Sequence, residues 1–146
     1  MLEEYCREQG IDAELIDTPA SAKTADDAAR ALNTTPEHII KSIVCIADEK
    51  PVLVIVRGQD RIDLPAVAAA VDADDARLTS PEEVEDITGY AVGAVPPVGT
   101  GLRTLIDEHV LQYDEVYGGG GAEDRLIALD PRFIVGEHDL VVDLKE

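Results

Sequence analysis

Two apolar runs, Ile39 to Ala47 and Val52 to Val56, separated only by the polar turn Asp48-Glu49-Lys50-Pro51, constrain this chain more than any other feature. In the first run apolar residues occupy both parities, the pattern of a strand covered on two faces. So short a polar turn between two such runs predicts an antiparallel hairpin in the middle of a sheet. Lys41 and Ser42 interrupt the pattern. Taking an ammonium out of water is costly, so a lysine at the end of a buried strand either snorkels to the surface or stands beside a cavity, where it meets an anion or a polarised oxygen. Ser42 has the opposite parity and is expected to point to the other face and pack there. Cys45 shares the parity of Lys41 and reads as a core thiol, with no histidine evidently paired to it.

Elsewhere helical and extended patterns are mixed. Residues 2–9 form a short helical segment stopped by Gly10, and Asp12 to Asp17 is a plausible strand. Thr24 can cap a helix whose Ala28, Ala29, Ala31 and Leu32 form a small apolar face. A brief strand is expected around Ile62, then a helix from Leu64 to Val71 with Pro65 in its first turn. Ser80-Pro81-Glu82-Glu83 is a strong helix start with capping-box spacing. Strands follow at Leu102 to Ile106, Leu126 to Leu129 and Leu140 to Leu144, with short helical turns at Leu105 to Val110 and Pro131 to Val135. The order lacks regular βαβ alternation and shows no linker, which predicts one α+β domain with a mixed sheet over residues 1–146.

With only 3% aromatic residues, the core has to be built from Val, Ile, Leu and Ala. The charge is more telling: 31 Asp and Glu against 12 Lys and Arg give a formal net charge of -19, dispersed along the chain. Such a surface suits concentrated salt, where self-repulsion is screened. The protein is therefore expected to unfold on dialysis from molar to millimolar salt, followed by circular dichroism; a transition indifferent to salt would remove that reading. It is also a poor nucleic-acid footprint, so any RNA contact has to be local. Cys6 and Cys45 lack CxxC spacing and read as reduced thiols, and Glu3 and Glu4 stand where a signal peptide would be basic. A soluble cytoplasmic protein is expected. His38, His109 and His138 show no metal-ligand spacing, and Asp107 and Glu108 read as solvated acids; no metal or cofactor is expected.

Thr88 to Gly101 carries four glycines and two prolines in Thr-Gly-Tyr-Ala-Val-Gly-Ala-Val-Pro-Pro-Val-Gly-Thr-Gly. Glycines admit a ligand close to the backbone and prolines hold the chain still, so the segment is either a tight connection or a rigid loop that points N–H groups at an oxyanion. No Gly-Lys-Ser/Thr follows, and no dinucleotide fingerprint is present. Gly118 to Gly121 reads as a flexible hairpin tip.

Lys41 in Ile-Ile-Lys-Ser-Ile-Val, then Val-Leu-Val-Ile-Val-Arg-Gly-Gln-Asp-Arg-Ile-Asp, then Thr-Ser-Pro-Glu-Glu-Val and the glycine-proline loop, run in an order that resembles the YbaK/ProX family, from about Thr18 to Asp143. These are single-domain aminoacyl-tRNA deacylases related to the editing insertion of bacterial prolyl-tRNA synthetase. The resemblance implies a mixed, barrel-like β-sheet flanked by helices. It implies hydrolysis of the ester joining a wrong amino acid to the 3′ end of tRNA, with mischarged aminoacyl-tRNA as partner and a synthetase as a plausible recruiter. It also carries over site residues. Lys41 orients the substrate, the N–H groups of Gly93 and Ala94 receive the oxyanion, and Thr88, Gly89, Tyr90, Pro97 and Gly120 belong to the substrate-binding wall. No motif residue is an obvious general base, so a ribose hydroxyl of the substrate assists proton transfer. A non-catalytic binding module of the same fold is the alternative.

Overall fold

The two apolar runs pair as expected. In the computed structural model, which describes residues 2–18, 25–136 and 139–146, β2 (Ile40–Ala47) and β3 (Lys50–Arg57) are antiparallel, with Lys41 opposite Val56. Asp48 and Glu49 both have positive φ, at 46° and 73°, as a two-residue hairpin turn requires. Asp48 tolerates that conformation because its carboxylate accepts the Asp74 and Asp75 amides at 2.8 and 3.1 Å.

Around this hairpin the chain contributes α1 (Leu2–Gln9), β1 (Ala13–Asp17), α2 (Ala25–Ala31), α3 (Leu64–Ala70), β4 (Ala76–Leu78), α4 (Pro81–Thr88), β5 (Arg103–Asp107), β6 (Val116–Gly119), β7 (Arg125–Leu129) and β8 (Leu140–Val142). A five-stranded sheet has the order β4-β2-β3-β5-β8, with β5 parallel to both β3 and β8 and the remaining pairs antiparallel. A three-stranded antiparallel sheet has the order β1-β7-β6, and a parallel bridge between Ile39 and Tyr117 joins the two. The mixed α+β fold is as expected, but the barrel-like sheet resolves into two open sheets with no closed barrel.

Both faces of β2 are covered, for the reason its two-parity pattern gave. Ile40 and Val44 pack with Leu53, Ile55, Ile106, Val116 and Ile127 between the sheets. Cys45 packs with Val52, Val54, Val56 and Val67 under α3. Burial pushes the Cys45 thiol up to about 11, which leaves it protonated and unreactive at neutral pH.

Local signals explain the helices that flank the sheet. Ser80 accepts the Glu83 amide at 3.2 Å while the Glu83 carboxylate accepts the Ser80 amide at 3.0 Å, a complete capping box for α4. Gly89 ends α4 in the left-handed conformation, φ 80°. The Thr24 cap lies outside the described residues. Ile62 forms only an isolated bridge to Lys145, and the helical turns at Glu108–Gln112 and Pro131–Phe133 are 3-10.

Asp107 departs from the expectation of a solvated acid. It is fully buried, accepts the Leu144 amide at 2.9 Å and pairs with His109 at 3.1 Å, which ties the chain end to β5. Asp107→Ala leaves that buried N–H unpaired and is expected to lower stability by about 3 kcal/mol, read by urea denaturation.

Candidate functional site

A cavity of about 650 Å³ opens between the start of β2, the loop after α4, and the β6–β7 hairpin. Lys41, Ser42, Gly93, Gly118, Gly119 and Glu123 are among the residues that line it. Lys41 and the glycine-proline loop, far apart in sequence, therefore meet at one hollow.

The Lys41 ammonium makes no hydrogen bond or ion pair among the described residues. Asp60 is the carboxylate whose charge acts on it, but that carboxylate is held by Arg57 at 2.7 Å, and Arg57 is fixed further by Tyr113 at 3.2 Å. Burial pushes the Lys41 pKa below the ordinary lysine value; Asp60 partly offsets this, and Arg61 adds to it by repulsion. The result is a half-buried cation with spare donors, suited to an anion or a polarised oxygen.

Ser42 is on the same parity as Ile40 and Val44 and lines the cavity. Its Oγ is buried and has no hydrogen-bond partner. It does leave the Lys41 face, as alternation required, but it reaches the edge of an open space, and a buried hydroxyl left unpaired is costly there.

The loop after α4 is shaped by its glycines and anchored by its apolar residues. Gly93 adopts φ 86° and is exposed, with open space where a Cβ would stand, whereas Ala94 to Val98 are buried. The Ala94 N–H donates to the Ala91 carbonyl at 2.9 Å, and the Ala94 carbonyl accepts the Gly121 N–H at 2.9 Å, so both Ala94 backbone groups are engaged. The Gly93 N–H makes no hydrogen bond among the described residues, and neither do those of Val92 and Val95 beside it, so the bend carries several open donors, Gly93 the exposed one with no side chain in front of it.

Gly118 to Gly121 differs from a flexible tip. Gly118 and Gly119 end β6 and form a wall of the cavity. A Cβ on Gly119 would lie 2.5 Å from the Val95 carbonyl oxygen, and one on Gly120 would lie 2.8 Å from the Arg125 and Leu126 backbone. These glycines are required by close backbone approach.

Thr88, Gly89, Tyr90, Ala94, Pro97 and Gly120 do not line the cavity. Thr88 spends its hydroxyl on the Val84 carbonyl at 2.7 Å, the Tyr90 ring packs on the core between the sheets, and Pro97 lies behind Gly118. Ser42, Gly118, Gly119, Glu123 and Arg125 are among the lining residues that sequence reasoning missed; for Ser42 the available signal was a polar side chain inside an apolar strand.

Asp107, His109 and Asp143 have ligand atoms within 4.8 Å of one another, away from the cavity lining. Asp107 already serves Leu144 and His109. Among the described residues no helix is long and apolar enough to cross a membrane.

An α+β fold whose sheets frame a polar-edged hollow is the architecture of a small ligand-binding domain. Residues 19–134 match the aminoacyl-tRNA editing domain family, and the chain belongs to it. Proline–tRNA ligase of Solidesulfovibrio magneticus is 36% identical over 120 residues, which are 81% of this chain and 21% of that protein. The Lactobacillus gasseri proline–tRNA ligase is 38% identical over 103 residues, 69% of this chain and 18% of that one. The chain thus spans about a fifth of the length of these curated relatives. A solved structure assigned as a trans-editing enzyme for prolyl tRNA synthetase superposes with a TM-score of 0.90 at 34% identity, covering 99% of this chain and 94% of that one.

Proposed function

We propose that this protein is a trans-acting aminoacyl-tRNA deacylase that hydrolyses the ester between a wrong amino acid and the 3′ end of tRNA. The observation that carries the reading is the meeting of an unpaired lysine, a free glycine amide and an orphan serine hydroxyl at one cavity of about 650 Å³, inside a family of editing domains. That volume accommodates an aminoacyl group with part of its terminal adenosine.

In this mechanism Lys41 draws in the substrate's terminal phosphate or ester oxygen, and Gly93 donates to the carbonyl oxygen as it becomes tetrahedral. Thr88, Gly89, Tyr90, Ala94, Pro97 and Gly120 hold the loop and the hairpin in register around that donor. Water attacks the carbonyl carbon, its proton passing through a ribose hydroxyl of the substrate, and the ribose oxygen leaves with a proton. The partner is mischarged aminoacyl-tRNA, delivered by a synthetase where the acidic surface gives little help, and the work belongs in the cytoplasm with translation.

The test is incubation, in high salt, with tRNAs charged with alanine, cysteine, serine and proline. Release of one amino acid above the uncatalysed rate supports the enzyme; intact esters throughout leave only a binding module. Ser42→Ala has a two-sided expectation. Losing an unpaired buried hydroxyl raises stability by about 1 kcal/mol, and because we assign that hydroxyl, once the substrate is bound, a hydrogen bond to it, its loss raises KM about fivefold. Melting curves and steady-state kinetics read the two effects separately.

A further inference from the structure

We infer that Glu123 recognises the free α-ammonium of the aminoacyl group, so that the cavity selects aminoacyl esters over N-acylated or peptidyl esters. The inference rests on the editing reading and adds the part of the substrate that the Lys41 and Gly93 roles leave unassigned.

Among the described residues, the charged ones lining the cavity are Lys41, Arg125 and Glu123. An aminoacyl ester carries a positive amino group within two bonds of the carbonyl carbon under attack. Lys41, unpaired, repels that group, and Arg125 does the same apart from its bond to Asp17 at 3.2 Å. Without a carboxylate, the correct substrate would meet a cavity of its own sign. Glu123 is the acid present on the lining, exposed in the β6–β7 turn, with no hydrogen bond or ion pair among the described residues. Its neighbour Asp124 is not part of the lining, although the two differ by one position in the same turn. The distribution of charge then sets the substrate's direction: ammonium toward the turn and Glu123, phosphate toward β2 and Lys41. The packed glycines beside the turn hold that edge in place, since Gly120 donates to the Arg125 carbonyl at 3.0 Å and Gly121 to that of Ala94 at 2.9 Å.

The test uses adenosine carrying alanine through a non-hydrolysable amide at the 3′ position, with the alanine amine free or N-acetylated. Affinities are measured at about pH 6.5, where an α-amino group is charged. Glu123→Gln is expected to weaken the free-amine compound about tenfold and to leave the N-acetyl compound within about twofold, with Glu123→Asp partly restoring the difference. Hydrolysis of alanyl-tRNA and N-acetyl-alanyl-tRNA is followed in parallel. Amine-dependent binding without turnover removes the deacylase reading and leaves this inference standing. Equal affinity of wild type and Glu123→Gln for the free-amine compound overturns the inference whatever the turnover, as does failure of both compounds to bind; the deacylase reading falls only when the charged tRNAs also stay intact.

Discussion

Lys41→Met is expected to cut kcat/KM for ester hydrolysis between about tenfold and a hundredfold, the worth of one charge-assisted hydrogen bond to the substrate. It is expected to do so without lowering the melting temperature. Burial holds the Lys41 pKa below its ordinary value, so the folded state carries the charge at a disadvantage. The sign is definite: a lysine whose folded pKa is depressed destabilises the fold while it is charged. That penalty is relieved as pH rises through the folded value, because the unfolded chain then binds more protons. Methionine removes the penalty and fills the same stem. Activity runs the other way with pH. An anion is held only by the protonated ammonium, so kcat/KM corrected for spontaneous hydrolysis falls as pH rises through the depressed value, below the ordinary lysine range near about 10.4. Lys41→Arg keeps its charge throughout, so whatever activity it retains loses that alkaline fall. A rate unchanged in Lys41→Met would place the lysine outside the reaction.

The sequence and the structure agree where a signal was local or periodic. The β2–β3 hairpin was legible because Ile40, Val44, Ile43 and Cys45 are apolar on both parities, and α4 because Ser80 and Glu83 are each other's partners. β4 was not legible. Ala76-Arg77-Leu78 is three residues long, pairs only with β2, and is positioned by the Asp48 carboxylate on the amides just before it, a contact spanning 26 residues. Asp107 misled for a related reason: in a chain with 31 acids, nothing near it in sequence distinguishes the one that meets the Leu144 amide. Parity correctly turned Ser42 away from the Lys41 face, yet what stands opposite Ser42 depends on β6 and the loop after α4. Glu123 is the same case, an acid among many until the cavity gives it a neighbourhood.

The largest structural effect is expected from Gly119→Ala, a change of one methyl group. Glycine runs ordinarily mark flexibility, but Gly119 ends a strand and faces the backbone of the site loop. A Cβ there would stand 2.5 Å from the Val95 carbonyl oxygen and 3.0 Å from the Ala94 carbonyl carbon. Neither atom is the tip of a movable side chain, so β6 and the loop have to separate. The Gly121 N–H to Ala94 carbonyl bond then opens as well. Overpacking of this kind costs about 3 kcal/mol, or about 10 °C in melting temperature for a chain of this size. Two controls isolate the cause. A Cβ on Gly118 meets side-chain atoms of Ile40, Cγ1 at 3.1 Å and Cδ1 at 3.2 Å, and no backbone, so a shift of a few tenths of an ångström relieves it and Gly118→Ala is expected to lower melting less than Gly119→Ala. A Cβ on Gly93 meets nothing, and Gly93→Ala bears only the penalty of φ 86°, about 1 kcal/mol. The order Gly119 far above Gly93 and Gly118 in calorimetry is what backbone contact predicts, whereas a floppy tetraglycine tip predicts that all three alanines leave the transition alone. Activity separates the two sensitive positions: Gly119→Ala loses turnover because a cavity wall moves, and Gly93→Ala loses it with the fold nearly intact to the extent that the bend relaxes out of φ 86° and turns its amide away.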